Sequence, residues 1–239
     1  MRRLLAVAVL ALAVPGAAAA QQGNTILFAN GKSLFAANCL TCHGIDGRGV
    51  SGRGPRLTTV GALGADFYLR TGYMPLASPR DQPTRRHSLF SPRKIDSLVA
   101  YVASLGKGPA VPKPHPERGS LPVGLRLFTE SCAGCHQVVA EGGYVTGARV
   151  PPLHDATPVQ IAEAVRLGPY LMPRFPKTQI SDGELDSIIA YVVHSKHPDD
   201  PGGWAIGHIG PVPEGLVAWL LAGTALVAVC VVIGKRNEA

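Results

Sequence analysis

Two stretches, Cys39-Leu40-Thr41-Cys42-His43 and Cys132-Ala133-Gly134-Cys135-His136, decide the fold of this 239-residue chain. Each is preceded, one helical turn earlier, by a Leu-Phe pair: Leu34-Phe35 in the first copy and Leu127-Phe128 in the second. The motif therefore recurs together with its local context about ninety residues later along the chain. Such self-similarity predicts two copies of one structural unit.

The two copies also end alike, since residues 95–102 align with residues 185–192. Apolar side chains in both follow the i, i+3, i+4, i+7 stripe of an amphipathic helix, namely Ile95, Leu98, Val99 and Val102, then Leu185, Ile188, Ile189 and Val192. Ser91-Pro92 predicts the start of the first of these helices. Ser181 through Glu184 form a capping box before the second. Each unit is thus expected to open and close with a helix.

A further helix is predicted in the second copy alone, from Thr157-Pro158 to Gly168. Alternating strand patterns are absent from both copies, so we expect an all-α fold with long loops. Units of about 80 residues are small for a polypeptide core alone and commonly need a staple. A large apolar group bound covalently would supply one.

Both motifs read C-x-x-C-H, the attachment pattern for c-type haem. Two thiols on one helical turn can reach the two vinyl groups of one porphyrin as thioethers, and the adjacent histidine then faces the iron. The predicted attachments of two haem c groups are Cys39, Cys42, Cys132 and Cys135, with His43 and His136 as proximal ligands. A redox disulfide or half of a zinc site would also use paired cysteines, but the duplication in matching contexts favours haem.

The sixth ligand is predicted from scarcity, because the chain has three methionines and one is the initiator. Met74 and Met172 both precede a proline and lie between the haem motif and the closing helix of their copy. Opposite histidine, a thioether raises the haem potential and closes the iron to small ligands, which suits electron transfer. His154 is the nearest rival in the second copy. It has no counterpart in the first, so we favour the methionines.

Pro55 and Pro151 lie shortly after the two motifs. A carbonyl oxygen there could accept the Nδ1–H of the proximal histidine and fix its tautomer. A simple turn would explain these prolines equally well.

The two ends of the chain have separate roles. Residues 1–20 have the charged start, short apolar run and small-residue end of a secretory signal, with cleavage expected after Ala20. Residues 215–234 carry no charge and are long enough to cross a bilayer. Lys235 and Arg236 follow, which favours a cytoplasmic C-terminus and places the haem units outside the cell membrane.

The remaining boundaries follow from these features. We expect domain 1 at residues 21–110, a proline-rich linker at 111–120, domain 2 at 121–200, a connector at 201–214, and a cytoplasmic tail at 235–239. The linker prolines favour an extended, semi-rigid spacer.

The charge is unevenly divided between the domains. Residues 21–110 contain 11 basic and 4 acidic side chains, a net +7, whereas residues 121–200 contain 6 and 9, a net −3. No arginine-rich arm or interleaved aromatic pattern appears, which argues against nucleic-acid binding. An extracellular part with one positive and one negative domain suits docking between differently charged proteins. The opposite charges also suggest that the two domains fold onto one another. Ordinary solvated surface is an equally good account.

The repeats resemble the class I cytochrome c fold. The order of signal, two such domains, proline-rich linker and C-terminal anchor, entered through Gly210-Pro211-Val212-Pro213-Glu214, resembles the dihaem cytochrome cc subunit of the actinobacterial cytochrome bcc complex. The resemblance implies a quinol–cytochrome c reductase of the respiratory chain, with cytochrome b as a partner. It also implies that electrons arrive from a Rieske iron-sulfur protein and leave for an aa-type cytochrome c oxidase.

Three alternatives remain. A cbb-type oxidase subunit has similar haem domains but carries its anchor before them, whereas here the anchor follows. Dehydrogenase subunits often have three haem motifs, and this chain has two. A dihaem peroxidase needs one open sixth position, which the paired Met-Pro segments argue against. In the favoured interpretation the chain has no catalytic site of its own.

Overall fold

The computed structural model describes residues 15–81, 84–145, 147–199 and 211–237. Its elements, in chain order, are α1 (Pro15–Asn38), α2 (Leu40–His43), α3 (Gly61–Arg70), α4 (Pro92–Ser104), a 3₁₀ turn (Pro116–Arg118), α5 (Leu121–Ser131), α6 (Ala133–His136), β1 (Gly143–Val145), β2 (Ala148–Val150), α7 (Pro158–Leu167), α8 (Asp182–Ser195) and α9 (Pro211–Asn237). The predicted all-α class is confirmed, with two helical units followed by a long C-terminal helix.

Each domain is built around its first and last helices. In domain 1, α1 packs across α4, and in domain 2, α5 packs across α8. The predicted stripes of the closing helices form the two cores, with Leu98 and Ile189 almost fully buried. Phe35 and Phe128, from the Leu-Phe pairs before each motif, are 2% and 1% exposed. The cores are therefore equivalent, as the sequence repeat predicted.

The helices cross at a glycine in both domains. A Cβ added to Gly31 would lie 1.9 Å from the carbonyl oxygen of Ser97, and one added to Gly124 would lie 2.0 Å from that of Ser187. Backbone therefore touches backbone at each crossing, and a residue with a side chain cannot occupy either glycine position without separating the helices.

The predicted helix starts are confirmed in position. Thr157 and Ser181 both form capping boxes, with Gln160 and Glu184 as their partners. Ser91 precedes α4 in an extended conformation, with proline at the first helical position, but its side chain makes no capping hydrogen bond. The amphipathic pattern and Pro92 are sufficient to define that start.

Two features differ from the sequence-based expectation. Helix α3 of domain 1 was not predicted, because Gly61 and Gly64 lower its helix propensity. The short antiparallel ribbon β1–β2 of domain 2 was also not predicted. It follows the haem motif at the place where domain 1 has an isolated bridge between Val50 and Gly54. Tertiary packing, rather than local pattern, stabilises both.

The domains pack against one another through α3 and α7. Leu63 and Phe67 on α3 and Ala162 on α7 are 3%, 5% and 0% exposed. The segment between the domains is also anchored at both ends. Leu63 N donates to Pro109 O at 3.0 Å, and His115 N donates to Asp186 Oδ1 at 2.7 Å. The segment is thus hydrogen-bonded to both domains, and its semi-rigid character stays a prediction.

Two carboxyl groups meet in this interface. Glu163 on α7 is fully buried, and neither of its carboxyl oxygens receives a hydrogen bond from a described donor. Asp66 on α3 faces it and is held by Arg70 Nε at 2.8 Å. Burial, with the negative Asp66 as a second cause, raises the pKa of Glu163 to about 9. Glu163 is therefore protonated and uncharged at neutral pH.

Charge complementarity does not explain the packing of the domains. Among the described residues, every ion pair joins two side chains of the same domain or the linker beside it. Arg85 does cross the interface, donating to the backbone oxygen of Asp155 at 2.7 Å. The packing of α3 on α7 and the hydrogen bonds of Arg85 therefore hold the domains together.

At the C-terminus, residues Val212–Arg236 of α9 form a helix long and apolar enough to cross a membrane. Its mean hydropathy is 2.7, and none of it is buried in the protein. It extends the predicted span 215–234 by a few residues at each end. Residues 1–14, 200–210 and 238–239 lie outside the described residues, so cleavage of residues 1–20, most of the connector and the end of the tail stay predictions. Helix α1 begins at Pro15, within the predicted signal.

We predict that Gly124→Ala destabilises domain 2 by about 1–3 kcal/mol or more, because the new methyl group overlaps the Ser187 carbonyl. Denaturant unfolding of the full chain measures the change. Gly183→Ala is the matched control in α8, since a Cβ there meets nothing within 4 Å. That variant should be neutral or more stable by up to ~1 kcal/mol. Equal effects of the two substitutions would contradict the crossing argument.

We predict that Glu163→Gln stabilises the protein increasingly as the pH rises. The native carboxyl, with its pKa raised to about 9, keeps a proton that the unfolded chain releases near 4.5, so wild-type stability falls across that window. The amide has nearly the same shape, carries no charge and does not titrate. The difference in unfolding free energy should be near zero at the acid end and reach the order of a few kcal/mol at the alkaline end.

The exposed carboxyl of Glu141 provides the control, because Glu141→Gln should leave the pH dependence unchanged. A Glu163→Gln effect that is the same at pH 5 and pH 9 would show that the buried proton is absent.

Candidate functional site

Each C-x-x-C-H motif continues the helix that precedes it for one further turn. Cys39 N donates to Phe35 O at 2.8 Å, and His43 N donates to Cys39 O at 2.9 Å. The second motif repeats both bonds at 2.8 and 2.9 Å, with Cys132 and His136 as the donors. The helical turn places the two thiols and the imidazole of each motif on neighbouring positions, as covalent haem attachment requires.

The first cysteine of each pair faces the core. Cys39 and Cys132 are half-buried and pack against the cores of their domains, whereas Cys135 is exposed. Burial, with the neighbouring cysteine as the second cause, raises the pKa of both thiols to about 11. These thiols are therefore protonated at neutral pH. A protonated thiol carries the hydrogen that the addition of S–H across a vinyl group uses.

In domain 1 the ring of His43 is oriented by a backbone carbonyl. Its Nδ1 lies 2.8 Å from the Pro55 oxygen. The carbonyl only accepts, so Nδ1 carries the proton and Nε2 has its lone pair free for a metal. The predicted role of the Pro55 carbonyl is confirmed.

In domain 2 the corresponding histidine is more buried. His136 is 9% exposed, and burial lowers its pKa, which keeps the imidazole neutral and able to bind iron. The Pro151 carbonyl opposes this lowering of the pKa. His136 Nδ1 has no hydrogen-bond partner among the described residues, so the hydrogen bond predicted to the Pro151 carbonyl is not formed, unlike its counterpart in domain 1.

A tyrosine of the closing helix anchors the backbone just beyond each histidine. Tyr191 Oη donates to Val138 O at 2.7 Å, and Tyr101 Oη lies 3.5 Å from Ile45 O. Both carbonyls belong to the residue two positions after the motif histidine. The sequence analysis did not assign this role, although the two tyrosines occupy the same position in the aligned closing segments.

The residue that follows each histidine adopts the same unusual backbone conformation. Gly44 has φ 73° and ψ 159°, and Gln137 has φ 61° and ψ 160°. This region is open to glycine and strained for glutamine. The strained turn at Gln137 shows that tertiary contacts, including the Tyr191 anchor, impose the geometry of the motif in domain 2.

Each methionine packs against the same core as the first cysteine of its domain. Met74 packs against the core of domain 1 together with Cys39, and Met172 packs against the core of domain 2 together with Cys132. Met74 N also donates to Tyr68 O at 3.0 Å, which ties this segment to α3. The structure therefore brings a thioether, a thiol and an adjacent imidazole to each core, and axial ligation by Met74 and Met172 stays a prediction.

The competing groups have other partners. His154 Nε2 lies 3.5 Å from Ser195 Oγ on α8, away from the motif cysteines in sequence and held by the closing helix. In the part of the chain that the structure describes, no group of three or more His, Cys, Asp or Glu side chains could hold a metal ion. A zinc site built on either cysteine pair would thus lack its remaining ligands there.

These residues fit a covalently attached haem in both domains. Each site has a thiol pair on one helical turn, a neutral or correctly oriented imidazole, and a thioether on the same core. Together with the duplicated all-α unit, the sites define a c-type cytochrome with two haem-binding domains.

Comparison with known proteins supports the assignment as a c-type cytochrome and identifies one family within that class. The family model described as "Cytochrome c" matches residues 28–106, and the model described as "Cytochrome C oxidase, cbb3-type, subunit III" matches residues 120–192. Curated relatives named "Cytochrome bc1 complex cytochrome c subunit" cover nearly the whole chain. The protein from Mycobacterium tuberculosis is 34% identical over 93% of this chain and 83% of its own. The protein from Corynebacterium diphtheriae is 33% identical over 92% and 85%.

A more distant relative is the cbb3-type cytochrome c oxidase subunit CcoP of Azospirillum brasilense, at 28% identity over 69% of this chain and 60% of its own. The chain belongs to the family of cytochrome c subunits of the cytochrome bc1 complex. Its two cytochrome c domains carry covalently bound haem c, and its role is respiratory electron transfer.

We predict that Met74→His and Met172→His each remove part of the far-red absorption band of methionine-ligated ferric haem in the full chain. Imidazole replaces thioether, so the midpoint potential of one haem should fall in each variant. Optical redox titration measures both effects. Leu171→His is the control, because Leu171 adjoins Met172 yet is 79% exposed, and it should leave both properties unchanged. A haem that binds carbon monoxide readily in the wild type would contradict a closed sixth position.

Proposed function

We propose that this chain receives electrons from a Rieske iron-sulfur protein and passes them to an aa-type cytochrome c oxidase. It would do so as the cytochrome c subunit of a quinol–cytochrome c reductase that also contains cytochrome b. The haem domains would lie outside the membrane, and the C-terminus in the cytoplasm. The observation that carries the proposal is the docking of two haem-binding domains through α3 and α7 in a chain with its own membrane span.

This arrangement suits a fixed bridge between two larger complexes. A single haem domain on a mobile carrier must bind donor and acceptor in turn, whereas two docked domains can face both at once. The haem c groups, when attached, supply one-electron centres. The chain's own residues orient the proximal rings through the Pro55 carbonyl and the Tyr101 and Tyr191 anchors, and they bury the first thiol of each pair.

The charge distribution supports docking to proteins. Domain 1 carries a net +7 over residues 21–110 and domain 2 a net −3 over residues 121–200. The ion pairs of the described residues stay within one domain or its adjoining linker. The charges of domain 1 and domain 2 are therefore not paired with each other across the interface. They remain available to steer oppositely charged partners.

A second candidate function is that of a cbb3-type oxidase subunit, which the match of residues 120–192 favours. The bc1-complex relatives are more similar and cover 92–93% of this chain, against 69% for the cbb3 relative. The membrane span follows the haem domains here, which also supports the bc1-type assembly. Purification of the intact assembly distinguishes the two candidate functions, because the proposed one requires cytochrome b and a Rieske protein to accompany the chain.

We predict that quinol added to the purified assembly reduces the c-type haems of this chain before haem a of the oxidase. Met74→His and Met172→His should each slow the reduction of haem a by about tenfold or more, because one potential on the route is lowered. Stopped-flow spectroscopy at separate wavelengths follows both groups of haems, with Leu171→His as the control. Unchanged reduction of haem a in both variants would show that electrons bypass this chain.

A further inference from the structure

Three tyrosine rings from three segments meet where the domains join. Tyr68 lies on α3, Tyr73 directly precedes Met74, and Tyr170 lies two residues before Met172. The ring centroids are 5.4 Å apart for Tyr73 and Tyr170, 6.1 Å for Tyr68 and Tyr170, and 6.4 Å for Tyr68 and Tyr73. All three separations lie within the range of favourable aromatic pairs. The segments that carry the two methionines are therefore in contact across the interface.

Each ring is tied to the methionine of its own domain. Met74 N donates to the carbonyl of Tyr68, and Tyr73 stacks on Phe67 at 5.9 Å. Phe67 is itself buried in α3. In domain 2, Met172 N donates to Pro169 O, which closes a tight turn around Tyr170. If these rings move, the segments that carry Met74 and Met172 therefore move with them.

Tyr170 adopts a backbone conformation that its side chain disfavours. Its φ is 55°, in the left-handed region that glycine and asparagine occupy readily and that bulky residues rarely do. The residue is 50% exposed, so burial in the core of domain 2 does not account for a large ring there. Its ring contacts are made with Tyr68 and Tyr73 of the other domain. Strain of this kind is retained where a local contact has a role.

The other contacts between the domains involve residues outside the two methionine-bearing segments. Glu163 and Asp66 join the helices α7 and α3, and Arg85 reaches Asp155 and Gln160 at the start of α7. The tyrosine rings are the described contacts that join one methionine segment to the other.

We propose that Tyr68, Tyr73 and Tyr170 form an aromatic junction that positions the two methionine-bearing segments against each other and thereby sets the rate of electron transfer between the domains. The inference rests on the proposed function as an electron carrier. With both haems attached, one electron would pass from the reduced centre of one domain to the oxidised centre of the other, and no bond would be made or broken.

The test compares Tyr170→Asn with Tyr170→Phe in the full chain with both haems attached. Asparagine tolerates the left-handed backbone and removes the ring, whereas phenylalanine keeps the ring and the strain. After a light pulse injects one electron, its redistribution between the two haems is followed optically. The asparagine variant should slow this step by about tenfold, and the phenylalanine variant should match the wild type.

A second readout does not depend on electron transfer. Pulsed dipolar spectroscopy between the two ferric irons should show a broader distance distribution in Tyr170→Asn than in Tyr170→Phe. The far-red methionine bands and both midpoint potentials should be unchanged in each, which excludes loss of ligation as the cause. Tyr68→Leu, which removes another ring of the junction from α3, should reproduce the asparagine result.

Wild-type rates and distances in both Tyr170→Asn and Tyr68→Leu would overturn the proposal. Equal slowing by phenylalanine and asparagine would also overturn it, because the hydroxyl rather than the ring would then be required. If quinol fails to reduce haem a through the wild-type chain, the proposed function fails. If that route operates and the ring variants are unimpaired, the junction alone is wrong.

Discussion

The close crossing of the first and last helices at a glycine is the contact on which each domain depends. Where Gly31 meets the Ser97 carbonyl and Gly124 meets the Ser187 carbonyl, backbone packs on backbone with no room for a methyl group. This crossing sets where the opening helix ends, and the haem motif is the next turn of that helix. It also brings Tyr101 and Tyr191 of the closing helices to the carbonyls just after the motif histidines. The orientation of the proximal histidine in each domain thus depends on the contact between the opening and closing helices at the glycine.

A second constraint lies between the domains. Buried apolar side chains of α3 and α7 are accompanied by two facing carboxyl groups, of which Glu163 is neutral and Asp66 is ionised and paired with Arg70. A buried carboxyl without that proton would place two negative charges in the interface. The arrangement makes the docking of the domains conditional on Glu163 staying neutral, which holds at physiological pH because its pKa is raised to about 9. The two domains are thereby held against each other, as the proposed bridge between a donor and an acceptor requires.

Much of this could be predicted because the determinants are local or repeated. The spacing of each C-x-x-C-H motif, the stripes at 95–102 and 185–192 and the capping boxes depend on neighbours within one or two helical turns. Helix α3 could not be predicted with the same method, since its glycines weaken the local signal and its formation is stabilised by packing on α4 and α7. The domains pack on one another through α3 and α7, which the opposite charges only suggested, and the described ion pairs stay within each domain and its linker.

The sequence by itself determined the repeat, the all-α class, the covalent haem motifs and an apolar C-terminal segment. Each of these depends on the spacing of residues that lie close together along the chain. Only the tertiary structure decided between a simple turn and a hydrogen bond at Pro55, where the carbonyl orients His43. It alone also brought Asp66 to face Glu163, and Tyr68, Tyr73 and Tyr170 together. Asp66 and Glu163 lie nearly a hundred residues apart, as do Tyr73 and Tyr170. Contacts at that separation depend on how two folded domains pack, and the local pattern around each residue carries no record of its distant partner.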